Sequence, residues 1–101
     1  MGKTKAILFP QQIKLLSVVG EQMKMARLKR AMTITEMSMR SGLSRITISK
    51  IEAGDPTVSM GAYLKVLSKL GLEESILKIA EEDELGDRIL LSKLKARGKS
   101  I

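Results

Sequence analysis

Cysteine and histidine are both absent from the 101-residue chain, and each absence closes a route to function. Without thiols there is no disulfide framework and no thiolate nucleophile. Without imidazole the commonest general base near neutral pH and the commonest zinc ligand are missing. Carboxylates and serine–lysine pairs remain, but none falls in a catalytic spacing, and Ser49 and Lys50 are neighbours on an expected helix, pointing apart. No catalytic residue, metal site or cofactor is expected, and the chain does not read as an enzyme. Aromatic residues are reduced to Phe9 and Tyr63, so a row of rings on which a single strand could stack its bases is lacking. The apolar run Ala6, Ile7, Leu8, Phe9 stops at Pro10, well short of the ~20 residues that a membrane span needs. It is also too short for a secretory signal core. A cytoplasmic protein without membrane attachment is the expectation.

Charge is what the chain does have. Lys and Arg number 18 against 11 for Asp and Glu, a formal charge of +7, which favours a polyanionic partner. With so few rings, double-stranded DNA is preferred over single strands. Residues 1–31 hold seven basic residues and a single acidic one, Glu21, whereas Glu81, Glu82, Asp83 and Glu84 form an acidic cluster. The anion-facing surface is therefore expected toward the amino-terminal part. The length supports one domain core.

Helical periodicity dominates from Gln11 onward. Residues 1–10 read as an arm ending at a proline, residues 11–80 as a five-helix all-α domain, and residues 81–101 as a tail. Ile13, Leu16, Val19, Met23 and Ala26 recur at three- and four-residue steps, the spacing of one helical face, although Gly20 threatens to split that helix. Thr33 and Glu36 stand three apart before an apolar run, a capping box opening a second helix that stops at Gly42. Ser44 follows almost at once as the cap of a third helix, with Ile48 and Ile51 facing inward, which ends at Gly54. Ser59 caps a fourth, with Met60, Tyr63, Leu64, Leu67 and Leu70 as its expected buried face, closed by Gly71. Residues 72–80 predict a short fifth helix through Leu72, Ile76 and Ile79. In the tail, Ile89, Leu90, Leu91 and Leu94 among basic residues could serve as an interaction segment or pack onto the domain.

Two short capped helices joined by a tight glycine-containing turn are the sequence form of a helix-turn-helix. Ser38 agrees, because a small residue is needed where the two helices cross. The first turn of the third helix is the end that such a motif offers to base edges. Arg45, Ile46 and Ser49 are accordingly the candidate base-contacting residues. Arg45 suits guanine O6 and N7, and Ile46 suits a thymine methyl. The alternatives are a phosphate contact for Arg45 and a core position for Ile46. Thr35, Arg40, Ser44, Thr47 and Lys50 are the candidate phosphate contacts, with a merely solvated face as the alternative for Arg40 and Lys50.

The run TITEMSMRSGLSRITISKIEAG, residues 33–54, resembles the lambda-repressor-like, or XRE, family of helix-turn-helix proteins. The matching positions are Thr33, Met37, Ser38, Gly42, Ser44, Glu52 and Gly54, with Arg27 upstream. The resemblance implies a lambda-repressor-like fold, duplex DNA binding and a structural ion pair between Arg27 and Glu52. It departs at Ile34, where the family commonly carries a glutamine that touches a phosphate. The following run, GDPTVSMGAYLKVLSKLGL, residues 54–72, is similar to the HipB-like antitoxins. That similarity implies a homodimeric repressor of its own toxin-antitoxin operon, binding a palindromic operator and holding a HipA-like kinase toxin. Phage repressors and restriction-modification controllers share much of the pattern. The rival from another class is a protein-interaction module that has kept the fold and lost DNA binding.

Overall fold

A computed structural model describes residues 7–98 of the chain. It is all-helical among those residues: α1 (Pro10–Lys29), α2 (Ile34–Ser41), α3 (Arg45–Glu52), α4 (Met60–Lys69), a 3-10 helix (Glu73–Lys78) and α5 (Glu84–Ala96). Most of the expected arm lies outside the described residues, and its last residue, Pro10, opens α1, where a missing N–H costs nothing. Gln12 reaches back to accept from the Phe9 N–H at 3.0 Å.

The core is small and sits where α1, α2, α3 and α4 meet. Met37, Ile48, Ile51 and Val66 are essentially inaccessible, and Met23, Ala26, Met32 and Leu70 complete the buried set. Three methionines among eight core residues suit an irregular junction of short helices, because an unbranched thioether fills uneven gaps.

Gly20 does not split α1, which runs unbroken through it. The reason lies at the end of α3: a Cβ at Gly20 would stand 2.6 Å from the Glu52 carbonyl oxygen and 2.7 Å from both the Ile51 carbonyl oxygen and the Gly54 amide nitrogen. The two chains touch backbone to backbone, and only glycine permits that approach. Gly54 is the other half of the contact, with φ at 73° and Leu16 O 2.5 Å from where its Cβ would be.

The expected buried face of α1 is realised only below this crossing. Ile13 and Val19 remain 48% and 41% exposed, because among the described residues the core packs only against the later turns of α1. In α4 the buried face is turned from the expected one. Val66 is fully buried and Ala62, Tyr63 and Leu67 pack on the core, whereas Met60 and Leu64 are exposed. Within residues 72–80 the structure has a 3-10 helix over Glu73–Lys78 instead of an α-helix, with only Ile76 partly covered, and so little apolar burial does not sustain a longer regular helix. The tail contributes a sixth helical element, α5, started by Asp83, whose carboxylate accepts from the Gly86 N–H at 2.9 Å. None of its residues is buried.

Three helices end in the same way. At the ends of α1, α3 and α4 an N–H bonds five residues back: Met32 to Arg27 O at 3.2 Å, Asp55 to Lys50 O at 2.9 Å and Leu72 to Leu67 O at 2.8 Å. Each leaves the preceding residue left-handed. Two of those residues are glycines, Gly54 and Gly71, and the third is Ala31, at φ 52°.

Candidate nucleic-acid interface

The interface is built from local bonds that hold α2 and α3 at a fixed angle. Thr33 Oγ1 accepts from the Glu36 N–H at 3.0 Å, and the Glu36 carboxylate accepts from the Thr33 N–H at 3.0 Å. These bonds favour the charged carboxylate and hold Glu36 below its usual pKa. Ser38 is more than a small residue at a crossing, since its hydroxyl donates to the Leu43 carbonyl at 2.6 Å and ties α2 to the turn. Gly42, at φ 76°, makes the left-handed step that no β-branched or bulky residue takes cheaply. Ser44 then caps α3 by accepting from the Thr47 N–H at 3.1 Å, and the two hydroxyls lie 2.9 Å apart.

This frame gives α3 two distinct sides. Ile48 and Ile51 are wholly buried, while Arg45, Ile46, Ser49 and Lys50 are exposed. Ile46 is 70% exposed, so a core role for it is excluded. Arg45, Ile46, Ser49, Lys50, Ala53 and Asp55 line one open depression of about 380 Å³. Thr35 and Arg40 are exposed on α2, in its first and last turns, and Thr47 is half-buried, with its hydroxyl on that of Ser44. Ile34 packs against the core. An apolar side chain so occupied offers a phosphate nothing at the place where the family commonly has glutamine.

Asp55 was missed by sequence reasoning, although the D-P-T order at residues 55–57 was there to be seen as a turn. Its carboxylate accepts from the Thr57 N–H at 2.8 Å and the Thr57 hydroxyl at 2.6 Å, and the Tyr63 hydroxyl donates to its carbonyl at 2.9 Å. Burial, and then the Asp55 charge, push the Tyr63 phenol above its ordinary value of 10.0.

Behind α3, Arg27 Nε donates to Glu52 Oε2 at 2.6 Å and Nη2 to Oε1 at 3.0 Å, while Nη1 donates to Met32 O at 2.8 Å. Both side chains are only 7% exposed. The hydrogen bond to Glu52 and its charge raise the Arg27 pKa against the opposing effect of burial. This fork joins α1 to the last residue of α3 and also holds the turn after α1. Among the described residues no buried side-chain polar atom lacks a partner. No group of three or more carboxylates is arranged to hold a metal among them, and no helix is long and apolar enough to cross a membrane.

The fold and this frame define a DNA-binding helix-turn-helix domain. The family model described as Helix-turn-helix matches residues 23–77, and the chain belongs to that family of XRE-type regulators, with the lambda-repressor-like fold. No curated protein matches the chain.

Proposed function

We propose that the chain is a sequence-specific transcriptional repressor that binds duplex DNA as a homodimer, with α3 as the recognition helix. The observation that carries this is the division of α3. One side is locked into the core by Ile48 and Ile51, and the other presents Arg45, Ile46, Ser49 and Lys50 to solvent. A helix held so rigidly can enter the major groove without losing much freedom.

Arg45, in the first turn, makes two parallel hydrogen bonds to guanine O6 and N7. Ile46 packs on a thymine methyl, and Ser49, one turn on, meets a neighbouring base edge. Lys50 and Arg40 neutralise phosphates, and the Ser44–Thr47 hydroxyls and Thr35 donate to phosphate oxygens. An eight-residue helix reads few base pairs, so two copies on a palindromic site supply the specificity.

The narrower reading is an autoregulatory HipB-like antitoxin, supported by the residue 54–72 pattern. Co-purification with a HipA-like kinase encoded beside it would support that assignment, and a neighbourhood without one would remove it. The test of DNA binding is a duplex titration across a salt series. Affinity for one sequence should stand well above that for random duplex, with both falling as salt rises. Absence of binding at low salt would leave the fold as an interaction module.

A further inference from the structure

Residues 10–22 of α1 precede the span shared with the family, and their exposed surface has a pattern of its own. Gln11, Leu15, Val18, Gln22 and Met25 follow one another at steps of four and three, forming one stripe on a helix. That stripe lies on the side of the helix roughly opposite the face that buries Gly20, Met23 and Arg27. Leu15, Val18 and Met25 are all exposed.

Between Pro10 and Gln22 only two residues are charged, Lys14 and Glu21. They are seven apart, so they flank the same edge of the stripe two turns from each other. Both are exposed, and neither belongs to the ion pairs among the described residues, Arg27 with Glu52 and Arg88 with Glu84.

We infer that α1 pairs with α1 of a second copy, antiparallel, about a two-fold axis passing between Leu16 and Ser17. This deepens the dimeric reading above and rests on it. The charges decide the occupant and its direction. On the flank of that seam Lys14 lies only about 3 Å along the helix axis from the level of Glu21 of the second copy, within reach of two long side chains, and Glu21 stands likewise to its Lys14. The same register places Leu15 on Val18, Val18 on Leu15, and the glutamines at 11 and 22 opposite each other at both ends. Parallel pairing would put the two copies' lysines, and their glutamates, on opposite sides of the seam facing Val19 and Ala26, and so leave both charges without an opposite partner. The stripe is self-complementary, as a two-fold interface requires. By contrast α5 has apolar residues around its circumference, Leu85 and Ile89 on one side and Leu90 and Leu91 on the other, and so specifies no register.

The test is sedimentation of the full chain without DNA over a concentration series, with Lys14→Glu, Glu21→Lys and the double exchange. Circular dichroism establishes that each variant is folded. The wild type should dimerise. Each single reversal places like charges at both symmetric contacts and should weaken dimerisation about tenfold, and the double exchange should restore it to within about threefold. A wild type that stays monomeric throughout overturns the inference, as do single reversals without effect. A dimer insensitive to both reversals but lost on removal of residues 84–98 would place the interface on α5. Binding of the double exchange, whose net charge is unchanged, to a single half-site duplex reports separately on the DNA reading.

Discussion

Replacing Gly20 by alanine sets two effects of known size against each other. Gly20 lies inside a 20-residue helix, where alanine is intrinsically favoured by about 1 kcal/mol. Its Cβ, however, would meet three backbone atoms of residues 51, 52 and 54 at 2.6–2.7 Å, against the ~3.5 Å at which carbon contacts become attractive. Backbone cannot rotate aside as a side chain does, so α1 and α3 must separate by about 0.7 Å or more to restore ordinary contact. Overpacking of this kind costs about 1–3 kcal/mol and occasionally more. The displaced carbonyl also belongs to Glu52, so the shift pulls on its 2.6 Å bond to Arg27. A net loss of about 1–3 kcal/mol is expected. Gly61, in α4, is the internal control, since the nearest atom to its would-be Cβ is Ser59 Oγ at 3.8 Å. There the same substitution should stabilise by a few tenths to about 1 kcal/mol. Urea unfolding followed by circular dichroism measures both. If Gly20→Ala is as stable as the wild type or more so, the backbone contact between α1 and α3 is not real.

Ala31→Gly should stabilise the chain by about 0.5–1 kcal/mol in the same assay, because it relieves a left-handed alanine at some expense in unfolded-chain entropy; a loss of stability would mean that residue 31 is not left-handed. Glu52→Gln leaves Arg27 buried without its carboxylate and should cost about 3–5 kcal/mol. The paired change Arg27→Met with Glu52→Leu should recover part of this but not all, since Met32 O then loses its donor; a double variant no better than the single would contradict the buried-pair account. Tyr63 is the only tyrosine, and there is no tryptophan, so tyrosinate absorbance follows one phenol. Its midpoint should lie above 10.0 in the folded chain and fall toward 10.0 in urea. Because the folded state holds this proton more tightly, its contribution to stability is intact below about pH 10 and is lost as pH rises through the folded value. Equal midpoints in the two states would remove the Tyr63–Asp55 contact as a cause.

What was legible in the sequence was the chemistry of near neighbours. The Thr33–Glu36 box, the Ser44 and Ser59 caps and the Gly42 turn each depend on residues two to four apart, so local order alone discloses them. The inward side of α3 followed from the spacing of Ile48 and Ile51. What failed depended on partners far along the chain. Gly20 looked like an interruption because the backbone it touches lies more than thirty residues away. The upper turns of α1 had the spacing of a buried face, but spacing does not reveal that the core packs only against its later turns. Val66 was overlooked because Met60, Tyr63, Leu64 and Leu67 form a neater stripe one step round the helix. The tail hid a helix because its apolar residues surround the axis and define no single face. At the interface, Ile46 could have been core or surface on spacing, and only the packing of α3 decides it.

The central claim is that the outer side of α3 reads base sequence, and selection of bound duplexes from a random pool tests it most directly. The wild type, Arg45→Ala and Lys50→Ala are each carried through the same selection, and their affinities for the enriched site and for random duplex are measured across a salt series. The wild type should enrich one two-fold-symmetric sequence. Arg45→Ala should bind that sequence about 1–3 kcal/mol more weakly and lose discrimination at one position in each half-site. Lys50→Ala should weaken cognate and random duplex alike and reduce the salt slope by about one unit per copy bound. Failure to enrich any sequence, or an Arg45→Ala loss that is equal for every sequence, would contradict the account.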